Sequence, residues 1–340
     1  MQAFGVILGL FALALTVLGS SCPQARVSVL HKFPYPSWAE NLAVRANGKI
    51  LVTRLDTPSV WLVDPVTGNA VLVYAWDATL YSGCLGIAET TSDVFYVVAA
   101  AFFNSQFAKT SGVNSVFMID MNTFAVASRN GVDTVVANAT VAKAADVDDA
   151  QLLNGMAALD ARHVLVADVS GGVVFKVDTV VGTYSVAVDD PKMRSSYVPS
   201  PPTTLGVNGI KIFQSHLYWT NTAAGFVARV PIDVFVFATS PSAIAVTNVP
   251  LADDFIIRSD GVAFVCQNQQ DKLSIAYLDH NATVEAHPIA GSNTSTILAG
   301  VSAAAFGRLH HKRLFLTTSG GEYSQMHDTR SFPIFFICMH

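Results

Sequence analysis

The stretch WAENLAVRANGKILV, from Trp38 to Val52, sets a phrase that the rest of the chain repeats. It places Glu40 and Asn41 in an entering loop, followed by a short strand, the Asn47-Gly48 turn and a second strand. Asn-Gly between alternating apolar runs is a strong hairpin signal. The phrase returns in degenerate form as CLGIAETTSDVFYVV from Cys84, NGMAALDARHVLVAD from Asn154, NGIKIFQSHLYWTN from Asn208, DFIIRSDGVAFVCQ from Asp254 and VSAAAFGRLHHKRLFLTT from Val301. Starts recurring every ~45 to 70 residues match one four-stranded unit each. The expectation is an all-β protein, a six-bladed β-propeller of four-stranded antiparallel blades. Its ring would be closed by pairing an N-terminal strand, Arg26 to Phe33, with a C-terminal one, Phe332 to Cys338.

A length of 340 residues allows two ordinary domains, but a closed ring of blades uses it as one. The apolar run from Phe4 to Leu18 ends in Gly19-Ser20-Ser21, the pattern of a cleaved leader. The domain reading is therefore a signal peptide over 1–21 and a single propeller over 22–340. The leader lacks a basic start, so a retained anchor stays open as the alternative. With the leader removed, no membrane association is expected, and the protein passes into the secretory pathway or is secreted. Sequons at Asn138, Asn281 and Asn293 agree with that compartment and are the expected glycosylation sites. The chain is 51% hydrophobic and 13% charged, with net charge -5 and no Lys/Arg cluster, which excludes a nucleic-acid footprint.

Four cysteines stand at Cys22, Cys84, Cys266 and Cys338. If the terminal strands pair antiparallel, Cys22 lies near Cys338, and a disulfide there would staple the ring. Cys84 and Cys266 fall in blades on opposite sides of the axis and read as unpaired buried thiols. Four free core cysteines are the alternative.

Two segments interrupt the pattern. Residues 99–114 separate the second and third strands of the second blade and carry Phe102, Phe103 and Phe107. These aromatics would either pack on neighbouring blades or form an apolar lid over the central pocket. MRSSYVPSPPTT, from Met193, is a Pro/Ser-rich connection that reads as a surface loop. GGEYSQMHDTRS, from Gly320, shows no strand pattern, and His310-His311 reads as a solvated hairpin tip.

The residues before each first strand converge on the mouth of a propeller's central channel. The chain places Glu40, Asn154, Asn208 and the pair Asp253/Asp254 there. Carboxylate and amide oxygens are hard donors suited to Ca²⁺ or another divalent ion. The same residues also cap turns by bonding their own backbone.

The E-N-L-A-V entrance at Glu40, the N-G entrances at Asn154 and Asn208, and D-D-F-x-x-x-x-D-G from Asp253 resemble the SMP-30/gluconolactonase/luciferin-regenerating-enzyme superfamily of six-bladed propellers. The resemblance implies an axial divalent metal held by Glu40, Asn154, Asn208 and Asp253. Asp254 stands where that family has Gly, which leaves the register of the last ligand open. PSWAENLAVRxNGKILVTRL, with a leader and sequons, is most similar to secreted fungal members. Among these are the hetero-Diels-Alderases that join a tropolone o-quinone methide to a humulene-type sesquiterpene.

Second-to-third strand connections supply further channel candidates: Arg54 and Asp56, Asp168, Asn221, Gln267 and Asn268, and Ser319. With Trp38 and the three phenylalanines, Gln267 and Asn268 would contact substrate. Arg54, Asn41 and Asn221 would donate to a reacting oxygen, although an ordinary Arg54–Asp56 salt bridge is the plainer reading of the first. A cycloaddition needs two apolar molecules, a polyketide tropolone and a sesquiterpene, held in one orientation with water excluded and a donor on the heterodiene oxygen. It requires no cofactor, and Ca²⁺ or another divalent metal in the axial channel would be structural. The alternatives are a metal-dependent lactonase, with Asp253 or a neighbour activating water, and a non-catalytic binding propeller. No Ser-His-Asp or Cys-His spacing and no Rossmann or Walker phosphate loop is present.

Overall fold

The middle strands dictate the architecture. Ile50–Arg54, His163–Asp168, His216–Asn221, Val262–Gln267 and Arg313–Thr318 are buried along nearly their whole length because both of their faces are covered. Successive side chains on a strand point to opposite faces. Val164 and Val166 thus join one hydrophobic cluster while Leu165 and Ala167 join the next. The result is an all-β propeller, described by the computed structural model over residues 26–34, 36–103, 108–293, 298–310, 312–320 and 332–338.

Among the described residues the strands pair into six sheets of four or five strands and one two-stranded ribbon. The innermost strands are Ala39–Val44, Gly83–Thr91, Leu153–Ala158, Val207–Phe213, Ala252–Ile257 and Val301–Phe306. Each packs against the next in that order, and the last returns to the first. Between consecutive sheets lies a separate apolar cluster, so the core is distributed round the axis. The last sheet is completed by Phe332–Cys338 and, outside it, by Arg26–Phe33, paired antiparallel from Arg26 opposite Cys338 to Phe33 opposite Phe332.

Several expectations change. The segment 99–114 is not simply a loop. Val94–Phe103 and Ala108–Asp120 run into it from either side as paired strands, with Phe103 opposite Ala108, because pairing satisfies backbone groups that a loop would leave to water. Phe107 and the side chains of Phe102 and Phe103 lie outside the described residues, so the lid they were expected to form is not placed. The Pro/Ser-rich connection is more than a surface loop. It folds through two short 3-10 turns, Pro191–Met193 and Ser195–Tyr197, with Met193 fully buried. Residues 321–331, Cys22 and the leader fall outside the described residues, as does His311, whereas His310 is exposed at its turn. Cys84 and Cys266 are free and buried, in different clusters.

Candidate functional site

Each inner strand carries a bulge at the same place. The register slips between Ala39 and Leu42, Cys84 and Ile87, Leu153 and Met156, Val207 and Ile210, Ala252 and Phe255, and Val301 and Ala304. A bulge adds a residue and re-aims side chains. The two residues inside each one therefore form two stacked layers around the axis. The first layer is Glu40, Leu85, Asn154, Asn208, Asp253 and Ser302. The second is Asn41, Gly86, Gly155, Gly209, Asp254 and Ala303. By this equivalence Asp253, not Asp254, shares a layer with Glu40 and the two asparagines.

None of the three second-layer glycines has room for a Cβ: one on Gly86 would sit 2.4 Å from the Asn154 carbonyl oxygen. A Cβ on Gly155 would sit 2.2 Å from the Asn208 carbonyl oxygen, and one on Gly209 would sit 2.3 Å from Asp254 Oδ1.

All of the first layer except Ser302 lines a cavity of about 400 Å³. Its lining combines apolar side chains, Trp38, Leu55, Leu85, Leu152 and Leu205 among them, with the polar groups of Glu40, Asn154, Asn208, Thr222, Asp253 and Asn268. Pro202 to Leu205, from the Pro/Ser-rich connection, form one side. Trp38 Nε1 donates to Glu40 Oε2 at 2.8 Å. Asp253 accepts from Asn208 Nδ2 at 2.8 Å and from Asn268 Nδ2 at 2.9 Å. Asn268 Oδ1 in turn accepts from Ser319 Oγ at 3.1 Å. The side chain of Asn154 has no protein hydrogen-bond partner among the described residues, which leaves its amide open to the cavity.

Burial removes Glu40 and Asp253 from water, and among the described residues neither has an ion-pair partner. Desolvation, reinforced by the Asp253 charge, pushes the Glu40 carboxyl well above the usual range. Desolvation, with the Asp254 charge adding to it against the two amide hydrogen bonds, raises Asp253 to about 7. Two acids and two amides in one buried layer form an oxygen-rich donor set with the charge and chemistry a divalent cation takes. Among the described residues no three His, Cys, Asp or Glu side chains are grouped for a metal, and half of this donor set is amide.

The structure does not bring Arg54, Asn41 and Asn221 to this cavity. Arg54 forms a two-pronged pair with Asp56, its guanidinium 4.5 Å from the Phe33 ring centre, and Asp56 also accepts from the Trp38 backbone N–H at 2.8 Å. Asn221 is fully buried and donates to the carbonyls of Lys192 (2.8 Å) and Arg194 (3.0 Å), pinning the Pro/Ser-rich connection. Gln267 is buried against Ser274 and the Pro250 carbonyl. Asp168 accepts from the backbone of Gln151, Leu152 and Gly171. Of the expected substrate contacts, Trp38 and Asn268 line the cavity.

Sequence reasoning missed a set of threonines. Thr53, Thr220 and Thr317 each accept a bulge N–H, from Asn41, Gly209 and Ala303. Thr220 and Thr317 also donate to the Asp253 and Glu40 carbonyl oxygens of the following sheet, at 2.6 and 3.0 Å. Their signal was a Thr near the end of an otherwise apolar middle strand, as in LVTR, YWTN and FLTT.

No family model matches the chain. In sequence it is 27% identical, over 330 residues, to a protein of Sarocladium schorii that carries the provisional name hetero-Diels-Alderase, covering 86% of this chain and 77% of that one. It is 29% identical over 319 residues to a protein of Phoma sp with the same provisional name, covering 86% of each. The chain is a homologue of these two proteins. Its fold is shared with a gluconolactonase from Xanthomonas campestris (TM-score 0.57, 13% identity, 93% of this chain and 90% of that one). It is shared equally with the calcium-binding regucalcin of Agrobacterium tumefaciens (TM-score 0.56, 12% identity, 94% and 96%). Both resemblances read from the entrance motifs are thereby met, one in sequence and one in fold.

Proposed function

We propose that this protein is a biosynthetic enzyme catalysing an intermolecular hetero-Diels-Alder cycloaddition between a tropolone o-quinone methide and a humulene-type sesquiterpene. The homologues support the reaction class. The observation that carries the reading is the cavity itself, in which apolar side chains such as Trp38, Leu55, Leu85, Leu152 and Leu205 surround polar groups of which one amide, that of Asn154, is unengaged among the described residues. A cycloaddition breaks no bond to a leaving group and needs no proton relay. It gains from two apolar partners confined together and from a fixed donor where negative charge grows on the heterodiene oxygen. Asn154 takes the donor role expected of Arg54, Asn41 and Asn221, and Trp38 and Leu205 supply apolar contact. The six sheets, with six equivalent bulges and six inter-sheet clusters, support counting six blades. Secretory passage belongs to the same proposal, and Asn138, Asn281 and Asn293 are all exposed.

The test is chiral product analysis with the purified protein, a quinone-methide precursor and humulene, with and without chelator. Stereoselective adduct that survives chelation and falls at least tenfold in Asn154→Leu supports the proposal. Racemic adduct formed no faster than without protein overturns it.

The second reading, a metal-dependent lactonase, rests on the convergence of Glu40, Asn154, Asn208 and Asp253. These residues would hold the divalent ion, whose contribution when bound is to polarise a carbonyl oxygen. Asp253 or a neighbouring group would activate the attacking water. Glu40→Gln separates the two readings, since it should abolish lactone hydrolysis and largely spare cycloaddition.

A further inference from the structure

The channel has a second end. Below the two bulge layers, the position two residues beyond the second layer on each inner strand is Ala43, Ala88, Ala157, Lys211, Ile256 or Ala305. All six line a second cavity of about 430 Å³. Four alanines in a ring of six equivalent positions leave the space, and further wall is supplied by Ile87, Met156, Phe213 and Phe306. The volume lies within the range of small-molecule pockets.

The two cavities share no lining residue. Between them a polar strut crosses the axis. Asn41 Nδ2, from the first sheet, donates to Asp254 Oδ2, from the fifth, at 3.1 Å. Asp254 Oδ1 accepts from Lys211 Nζ of the fourth sheet at 2.6 Å and from the Phe255 N–H at 2.7 Å. Both carboxylate oxygens are thus engaged, and Asn41 Oδ1 is occupied by the Leu42 N–H. Lys211 is different. An ammonium has three N–H donors, and one of them is used by Asp254. The ammonium also lies 5.4 Å from the Phe255 ring centre, and the side chain is 20% exposed. At the rim, Arg308 and Glu89 pair with each other.

We propose that this second cavity is a binding site for an apolar small molecule ending in an acceptor oxygen group, such as a carboxylate or ketone, received by the spare N–H donors of Lys211. The apolar part would lie against the alanine ring and Phe213. The strut makes this site independent of the cavity at the opposite mouth, so the proposal does not rest on the reaction assigned there.

The probe is 8-anilinonaphthalene-1-sulfonate, whose fused rings and sulfonate oxygens match that description, titrated by fluorescence and by equilibrium dialysis. Two fillers of the second cavity, Ala88→Trp and Ala305→Trp, are compared with Leu205→Trp, which fills the opposite one. Circular dichroism and unfolding midpoints establish that each variant is folded. The expected result is that either second-cavity filler removes one probe per molecule that Leu205→Trp leaves bound, and that Lys211→Met weakens that probe about tenfold through loss of a charge-assisted hydrogen bond. Unchanged stoichiometry in whichever alanine variants fold, or loss of all binding in Leu205→Trp alone, overturns the proposal.

Discussion

Asp253 meets two side-chain amides and no cation, whereas the next residue, Asp254, meets a lysine, an amide and a backbone N–H. Both are buried, at 7% and 4% exposure, and one peptide bond separates them. The bulge aims the first at the entrance cavity and the second into the strut. Burial alone therefore does not decide how a carboxylate behaves here. The neighbours supplied by the other sheets decide it, leaving Asp253 avid for a proton and Asp254 compensated.

Four perturbations bear on that contrast. The largest effect is expected for Lys211→Met. It strands Asp254 in the interior, and breaking a buried pair from one side costs about 3 to 5 kcal/mol. Chemical denaturation should show that loss, while Asp253→Asn should be neutral or stabilising at pH 8; equal losses in both would erase the distinction. Next is the pH dependence. The folded pKa of Asp253 is raised from 3.8 to about 7, so the folded state binds more protons between those values. Stability should accordingly be greatest at the acidic end and fall as pH rises towards 7, by roughly 1.4 kcal/mol per unit of raised pKa at most. The slope of unfolding free energy against pH should flatten in Asp253→Asn.

A smaller loss, about 1 to 3 kcal/mol from overpacking, is expected for Gly209→Ala, whose new Cβ would meet Asp254 Oδ1 at 2.3 Å. Pairing it with Asp254→Gly, which restores the space, should recover part of that loss. The smallest is Thr220→Val, at about 1 to 2 kcal/mol. It removes the hydroxyl that receives the Gly209 N–H and donates to the Asp253 carbonyl. If its midpoint does not move, the threonine latch contributes nothing to holding the entrance.

The repeated hairpin phrase made the sheets legible because a strand covered on one face or on two leaves a direct trace in apolar patterning. The entrances were legible for a related reason. Equivalent positions in repeated units recur at intervals, and Glu40, Asn154, Asn208 and Asp253 do so. Side-chain partners were readable only where they are close in sequence. Arg54 has Asp56 two residues away, and the salt bridge which that spacing offered is the one the fold makes, beside Phe33. Asn221 carries the right chemistry for a donor, but its amide is consumed by carbonyls 27 and 29 positions away in the chain. The Pro/Ser-rich connection looked like exposed loop by composition, yet Met193 anchors it and Leu205 reaches the cavity. The bulges themselves have no composition signal in Glu40-Asn41 or Leu85-Gly86. They emerge only when the second strands pair.

The outermost pairing of the last sheet, Arg26–Phe33 against Phe332–Cys338, also has a mechanical meaning. Its strands run antiparallel with Arg26 opposite Cys338. A pull applied to these two residues would load one rung at a time, as in opening a zip, and would not shear the whole ladder at once. Resistance in that direction is set by the first rung alone. A covalent link beside Cys338 would act at the one point where the ring starts to open, and a pull taken through any interior loop would bypass it.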